Sequence, residues 1–271
     1  MKITVIGTGM IGGAVARAAR KLASVGEVVG VDNNPAHGEA ALKLGLVHRL
    51  AAAVPADADI IVIATPSEII ADWVIRLRDH SGVVIDVGSV KGPIVDSVRA
   101  EAGKLPPRFV PCHPLAGSEK HGPANAPEDL FRGRLLVLTP VEETDVAAIA
   151  RAQVFWADLG AVLHTMEVWE HDRILARTSH LPHLLAFAFM HGIADDELRF
   201  SGGGFKDFSR IAASSAELWW KIFELNRAPL LAALDKFEGD VQALRTALES
   251  SDEPTGLRLL AEAAVRRRKL P

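Results

Sequence analysis

The sequence predicts an α/β protein in which a doubly wound, mostly parallel sheet is followed by an all-helical C-terminal domain. Over the first 165 residues, short apolar runs alternate with helical segments, which is typical of a parallel sheet with helices on both faces. These runs are apolar throughout, as strands covered on both faces require. Beyond Thr165 only helical periodicity is found. We therefore expect two domains, 1–165 and 166–271.

The predicted elements follow one another closely along the chain. Strands are expected at Lys2–Ile6, Glu27–Val31, Asp59–Ala64, Gly82–Val87, Phe109–Val110, Leu135–Leu138 and Ala161–Leu163. Helices are expected between them at Gly13–Leu22, Pro35–Leu44, Glu68–Leu77 and Val146–Leu159. The second domain has helical spacing at Glu167–His191, Ser215–Phe237, Val241–Leu248 and Gly256–Lys269. Pro182 should kink or break the first of these helices, and the glycine-rich Ser201–Gly204 is expected to be a loop.

Composition excludes several classes of protein. The 271 residues are 49% hydrophobic and 24% charged, which is ordinary for a globular protein, and the net charge is −4. No basic excess favours a nucleic-acid partner. Leu184–Met190, the longest apolar run of the second half, is far too short to span a membrane. The single cysteine, Cys112, cannot form an intrachain disulfide, which favours a reducing compartment and a cytoplasmic protein.

A glycine pattern near the N-terminus predicts a dinucleotide site. The segment GTGMIG at 7–12 follows a predicted strand and opens a predicted helix, which is the context of the Rossmann fingerprint. In that motif Gly7 permits the tight turn, Gly9 lets the backbone approach a pyrophosphate, and Gly12 lets the helix pack close to the strand. The free N–H groups at the helix N-terminus attract phosphates.

The residue that ends the second predicted strand indicates which cofactor binds. Asp32 lies 20 residues after Gly12 (32 − 12), where a carboxylate accepts hydrogen bonds from a ribose 2′-hydroxyl. The same carboxylate repels a 2′-phosphate, so NAD is favoured over NADP. The residues predicted to contact the cofactor are Gly7, Gly9, Met10, Ile11, Gly12, Asp32 and Thr65.

Four polar segments follow in a fixed order: DVGSVKG at 86–92, HPLAGSEKHG at 113–122, SHLPH at 179–183 and GGGFKDFSRIA at 202–212. The first lies at the C-terminal end of a predicted strand, where this fold binds its ligands. The second is expected in a loop after another strand. Together these motifs resemble the prephenate dehydrogenase family, which includes the arogenate and cyclohexadienyl dehydrogenases of tyrosine biosynthesis. The resemblance covers nearly the whole chain.

The resemblance implies a Rossmann domain followed by a helical dimerisation domain, and an NAD-dependent oxidative decarboxylation of prephenate or arogenate. His113 matches the catalytic histidine, a side chain suited to accepting a hydroxyl proton near neutral pH. Ser89 matches the serine that orients it. Arg210 matches an arginine whose fork of donors grips a substrate carboxylate. The other substrate-binding positions that the resemblance implies are Ser118, Glu119, His180, His183, Lys206 and Trp219.

Several alternatives stay open at this point. His180 and His183 are spaced like a metal pair, but no third ligand is evident and the family reaction needs no metal, so no metal is expected. Other Rossmann–helical proteins are β-hydroxyacid dehydrogenases, which use a lysine of the helical domain as acid and base. A non-catalytic NAD-sensing protein is a third class. The choice between prephenate and arogenate is also open. Which of His180 and His183 contacts the substrate is open as well, although His183 is expected to be the closer of the two.

The helical domain is expected to form a homodimer. The runs Leu184–Met190 and Pro229–Leu234 carry apolar residues on several sides of the helix. A helix that is apolar all round needs burial on all sides, and a partner subunit supplies it.

Overall fold

Six strands form a parallel sheet in the N-terminal part of the protein, in a computed structural model that describes residues 1–117 and 120–270. The strands are β1 (Lys2–Ile6), β2 (Glu27–Val31), β3 (Arg49–Leu50), β4 (Ile60–Ile63), β5 (Val83–Asp86) and β6 (Phe109–Val110). Their order is β3-β2-β1-β4-β5-β6, and every pairing is parallel. This is the strand order of a doubly wound dinucleotide-binding sheet, so the predicted fold class is confirmed.

Both faces of this sheet are buried, as the apolar strands predict. In β4, Ile60 and Val62 belong to one buried apolar cluster, whereas Ile61 and Ile63 belong to another. Successive side chains of a strand point to opposite faces, so the two clusters lie on the two sides of the sheet. The two-residue strand β3 was not predicted, since its residues are exposed at the sheet edge and carry no apolar run.

Three further strands form a second, mixed sheet. They are β7 (Cys112–Pro114), β8 (Leu135–Leu138) and β9 (Val162–Thr165), with β7 and β8 antiparallel and β8 and β9 parallel. The prediction that His113 lies in a loop is wrong, because it sits in β7 opposite Val137. The strand β9 is also less apolar than predicted, since most of it is exposed.

The helices that accompany the sheets begin close to their predicted positions. They are α1 (Met10–Ala19), α2 (Pro35–Lys43), α3 (Ile70–Arg76), α4 (Gly92–Ala102), α5 (Val146–Asp158), α6 (Val168–Leu175), α7 (Leu181–His191), α8 (Gly203–Ser209) and α9 (Ala216–Leu225). The helix α4 was not predicted. Gly203 and Gly204 open α8, so only the first half of the predicted glycine loop is a loop.

A π-helical turn, Ala176–His180, joins α6 to α7. Pro182 lies in the first turn of α7, where its missing N–H is tolerated. The predicted discontinuity within Glu167–His191 is therefore present, but its form is a widened turn just before the proline. No helix of the described residues is long and apolar enough to cross a membrane.

The contacts within the chain divide it into two units, residues 1–226 and 227–271. The second unit is a pair of helices, α10 (Arg227–Glu249) and α11 (Glu253–Arg267). The helix predicted over Ser215–Phe237 is thus interrupted, because α9 ends at Leu225 and buried Asn226 follows it. The division into domains at residue 165 stays a prediction.

Candidate active site

A cavity of about 570 Å³ opens at the C-terminal edge of the six-stranded sheet. Its lining comes from the segments that follow β1, β2 and β4, together with one face of α3. Among the predicted cofactor residues, those that line it are Gly7, Gly9, Asp32 and Thr65. Ligands of doubly wound folds bind at this edge.

The glycine turn has the geometry that a bound pyrophosphate requires. Gly7 has a φ of +86°, and a Cβ there would lie 2.5 Å from the carbonyl oxygen of Ala64. A Cβ on Gly12 would lie 1.9 Å from the Gly7 carbonyl oxygen. Around Gly9, by contrast, a Cβ would meet no described atom within 4 Å. The backbone at Gly7 and Gly12 therefore packs too closely against other protein atoms for a side chain, whereas the space around Gly9 is left for a ligand.

Asp32 both anchors this turn and faces the cavity. Its Oδ2 accepts hydrogen bonds from the Thr8 amide at 2.6 Å and the Thr8 hydroxyl at 2.7 Å, and its Oδ1 accepts one from the Asn34 amide at 2.8 Å. A carboxylate oxygen accepts more than one hydrogen bond, so Oδ1 retains capacity for a ribose hydroxyl. The predicted carboxylate thus fits an NAD ribose. Met10, Ile11 and Gly12 form the first turn of α1 beside it.

A fully buried ion pair lies at the C-terminal end of β5. The Lys91 ammonium group pairs with the Asp86 carboxylate and donates a hydrogen bond to the Cys112 carbonyl at 2.8 Å. Asp86 also accepts hydrogen bonds from the amides of Gly88 and Cys112, both at 2.9 Å. The pair therefore connects the end of β5, the loop before α4 and the strand that carries His113.

His113 begins a chain of buried polar side chains that the sequence did not reveal. Its Nδ1 lies 2.9 Å from His171 Nε2, and His171 Nδ1 lies 2.8 Å from Asp172 Oδ1. Asp172 also accepts the amides of Lys91 (2.9 Å, Oδ1) and Gly92 (2.8 Å, Oδ2). A Cβ on Gly92 would meet the Trp169 ring at 2.2 Å, so only glycine allows α6 to approach this loop so closely.

The two linked histidines are held in their neutral form. Burial is the main cause that lowers the pKa of His113 well below 6.5, and the neighbouring His171, Lys91 and His180 lower it further. Burial also lowers the pKa of His171, although its hydrogen bond to Asp172 opposes this effect. Neutral His113 is therefore the form present near pH 7, and a neutral imidazole is able to accept a proton.

His180 lies next to these side chains, and one of its ring nitrogens has no hydrogen-bond partner among the described residues. Asn226 Nδ2 donates to the Asp172 carbonyl at 2.8 Å and lies 2.9 Å from His180 Nδ1. The amide nitrogen is a donor, so Nδ1 of His180 accepts and Nε2 carries the proton. That Nε2 is buried and has no hydrogen-bond partner among the described residues. Burial lowers the pKa of His180 to about 4, so the ring is a neutral donor.

His183 and Trp219 form a ring stack next to His180. Their rings stack at 3.4 Å between centroids with an interplanar angle of 18°. The Ser179 carbonyl can only accept a hydrogen bond, so His183 donates to it from Nδ1. Burial lowers the pKa of His183, and the positive charge of nearby Arg210 lowers it further. The turn that begins at Arg210 packs against α7, the helix that carries His183.

The remaining predicted residues are less closely associated with this cluster. Ser89 is half-buried in the loop between β5 and α4, two residues before Lys91. Lys206 lies on α8 with an exposed side chain. Ser118 and Glu119 lie outside the described residues.

His171, Asp172 and Asn226 are the site residues that the sequence interpretation missed. A signal for two of them existed, because Val168, His171, Asp172 and Leu175 follow the i, i+3, i+4, i+7 spacing of a buried helix face. Charged or ionisable residues in core positions are rare unless they are paired. Asn226 carried no such signal, since helical spacing continues through it.

The parallel sheet, the glycine turn, Asp32 and a neutral, half-buried histidine together define a dinucleotide-dependent dehydrogenase. The chain matches the family model "Prephenate dehydrogenase, nucleotide-binding domain" over residues 15–165 and "Prephenate dehydrogenase, dimerization domain" over 168–262. It therefore belongs to the prephenate dehydrogenase family, as the resemblance of its motifs indicated, and its cofactor is NAD.

Individual relatives cover nearly all of the chain. The prephenate dehydrogenase of Bacillus subtilis is 34% identical over an alignment that covers 100% of this chain and 77% of that protein. The cyclohexadienyl dehydrogenase of Zymomonas mobilis is 32% identical over 92% of this chain and 89% of its own. The structure of prephenate dehydrogenase from A. aeolicus in complex with hydroxyphenyl propionate and NAD+ superposes with a TM-score of 0.91 at 29% identity, covering 100% and 98% of the two chains.

Neither alternative class is favoured by these matches. The match to both prephenate dehydrogenase domains disfavours a β-hydroxyacid dehydrogenase. The match to both halves of a dehydrogenase family also disfavours a protein that only senses NAD.

Replacing Lys91 with Met should destabilise the protein by about 3–5 kcal/mol, because it leaves the Asp86 carboxylate buried without its counter-charge. The matched control is Lys43→Met, which removes an exposed pair with Glu39 and should change the free energy of unfolding by less than about 0.5 kcal/mol. Urea denaturation measures both. Equal losses in the two variants would contradict the importance assigned to the buried pair.

Proposed function

We propose that this protein catalyses the NAD-dependent oxidative decarboxylation of a cyclohexadienyl acid, prephenate or arogenate, in tyrosine biosynthesis. The observation that carries the proposal is the position of His113. It follows the parallel sheet at the same edge as the nucleotide cavity, and Asp86 at the end of β5 anchors its strand. A neutral base and a dinucleotide site at one sheet edge suit the oxidation of a ring alcohol.

In the proposed reaction His113 accepts the proton of the C4 hydroxyl while the hydrogen at C4 leaves as a hydride. Bound NAD+ supplies the hydride acceptor. The carbonyl formed at C4 accepts the electron pair released when the ring carboxylate leaves as CO2, and the ring becomes aromatic. His113 then returns the proton to that oxygen, which gives a phenol. The hydroxyl proton is thus conserved, and the two electrons leave the substrate with the hydride.

The helical part supplies groups of the kind that a dianionic substrate needs. Arg210 carries a fixed positive charge, and its effect on the pKa of His183 supports a position beside the ring stack of His183 and Trp219. His180 presents a buried Nε2 proton with no partner among the described residues. We propose that this proton is donated to a substrate oxygen and that Arg210 binds a carboxylate. Lys206 and Ser89 are proposed as further contacts, as the family resemblance implies.

The choice between the two substrates is tested directly by measuring NADH formation with prephenate and arogenate in parallel. They differ by a keto or an amino group on the side chain, so the ratio of the two kcat/KM values reports on the pocket around that group. Turnover of neither would contradict the proposed function.

His113→Ala should lower kcat by about 10²–10⁴-fold, because the general base is lost. Wild-type activity should persist as the pH falls to 6.5 and disappear only well below it, since the lowered pKa keeps His113 neutral. Steady-state rates as a function of pH measure both effects. The control is His164→Ala on exposed β9, and a kcat of His113→Ala near the wild-type value would exclude His113 as the base.

Asp32→Asn should raise the use of NADP relative to NAD by at least about tenfold. Near a protein surface, two unit charges 4 Å apart repel by about 4 kcal/mol, whereas tenfold requires only about 1.4 kcal/mol. The ratio of kcat/KM for the two cofactors is the measurement. Thr8→Val serves as the control, because it removes a hydrogen bond to Asp32 but keeps the carboxylate. If the ratio of the two kcat/KM values changed equally in both variants, the cofactor preference would depend on the shape of the turn and not on the charge of Asp32.

We also propose that the protein is a homodimer, assembled through its helical part, and that it works in the cytoplasm. The match to a dimerization domain over 168–262 supports the dimer. The helices α10 and α11 expose apolar side chains, which are Leu231, Phe237, Val241, Leu248, Leu257, Leu260 and Val265. Exposed apolar patches of this kind are typical of interaction surfaces. The lone, buried Cys112 is compatible with a reducing compartment.

Light scattering at micromolar concentration should give about twice the chain mass of 29.0 kDa, because a C₂ dimer is the commonest closed assembly. The same measurement at increasing concentration separates a stable dimer from weak self-association. A constant mass of one chain would contradict the proposed dimer.

A further inference from the structure

The chain from His113 through His171 to Asp172 has only one consistent arrangement of protons when both rings are neutral. Asp172 Oδ1 is a carboxylate oxygen and accepts, so His171 must donate to it from Nδ1. A neutral imidazole carries one N–H, which leaves Nε2 of His171 as an acceptor. His113 must then donate its Nδ1 proton to His171. Its Nε2 is left without a proton and is able to act as a base.

Asp172 is held in place on all sides while it accepts this bond. The backbone amides of Lys91 and Gly92 donate to its two oxygens. These bonds come from the loop after β5, whereas Asp172 belongs to α6, so the carboxylate cannot turn away from His171 without breaking contacts to another element. Asp172 is completely buried, and its two oxygens accept hydrogen bonds from three donors, which fixes the orientation of the carboxyl group.

We propose that His171 and Asp172 are positioning residues that keep the proton of His113 on Nδ1 and thereby leave its Nε2 free to accept the substrate proton. This inference rests on the proposed role of His113 as the base. The arrangement resembles in principle the serine-protease triad, where a buried aspartate selects the histidine tautomer and stabilises the imidazolium that forms. Here a second histidine stands between the carboxylate and the base.

The charged groups around the two rings are compatible with this role. Lys91 is near both rings, but its charge is paired with Asp86. His180, which also faces His113, is neutral because its pKa is lowered to about 4. When His113 accepts a proton, its positive charge is therefore stabilised by Asp172, to which it is connected through His171.

The proposal is tested without substrate by the ¹H–¹⁵N spectrum of the histidine rings in the full-length protein, labelled with ¹⁵N-histidine. His113→Gln identifies the His113 signals by their loss. The wild type should show His113 protonated at Nδ1. In His171→Leu the acceptor is gone, and the His113 proton should move to Nε2, where it faces the open site. A wild-type His113 protonated at Nε2, or a His171→Leu spectrum with no change, would overturn the proposal.

His171→Gln is the conservative counterpart, because its amide donates to Asp172 and its oxygen accepts from His113. This variant should keep the Nδ1 tautomer and most of the activity. His171→Leu should lower kcat by between about tenfold and about 10⁴-fold, with KM little changed. The upper value is the effect of the wrong tautomer in a serine-protease triad.

His80→Leu controls for loss of a half-buried histidine, since His80 bonds only to the backbone of Pro55 and Gly82 among the described residues. Equal losses of kcat in His171→Leu, His171→Gln and His80→Leu would indicate a merely structural role and overturn the proposal.

Failure of the proposed function is distinguishable from failure of this inference. If the tautomer of His113 responds as expected but neither His171→Leu nor His113→Ala changes kcat, then His113 is not the base. The proton arrangement would then stand and the catalytic role would not.

Discussion

The buried pair of Asp86 and Lys91 is the interaction on which the arrangement of the site depends. Two charges removed from water are tolerated only when their geometry and further hydrogen bonds compensate for lost hydration. Here the compensation comes from the backbone of Gly88 and Cys112, so the pair fixes the end of β5, the following loop and β7 together. Both His113 and the amides that hold Asp172 belong to these segments. A structural interaction thus sets the position of the chemical groups.

The site separates its neutral groups from its charged ones. Burial keeps the histidines next to the sheet uncharged, which suits proton transfer but leaves no positive charge for an anionic ligand. The exposed cations Lys206 and Arg210 belong to α8 and the turn that follows it. In the proposed function, the proton is therefore transferred at His113 on β7, whereas the charge of the substrate is bound by α8 and the turn that follows it. Each could vary while the other is kept.

The sequence predicts those parts of the molecule whose causes are local. A strand, a glycine turn and a helix follow one another within residues 2–19, so the sequence pattern predicts the nucleotide site. Asp32 follows at the spacing that this motif requires. The strand β7 was missed because it has three residues, ends at Pro114 and exists only through pairing with β8. Asp172 was missed because its partners Lys91 and Gly92 lie about 80 residues earlier. Asn226 was missed because the helical spacing of the sequence continues through it, although the helix ends at Leu225 and the Asn226 side chain contacts Asp172 and His180.

The π turn at Ala176–His180 determines the rotational phase between α6 and α7. His180 lies nine positions after His171, which is about 2.5 turns of an uninterrupted α-helix and would direct the two rings to opposite sides. The i→i+5 bonds of the π turn change that angle. The His171 ring contacts Asp172, the His180 ring contacts Asn226, and Asn226 is bonded to the Asp172 carbonyl. A deletion of one residue here would allow a continuous α-helix, with more regular hydrogen bonding, and would rotate everything C-terminal to it. The segment therefore retains a locally less favourable backbone, and the number of residues in this turn sets the orientation of α7 relative to α6.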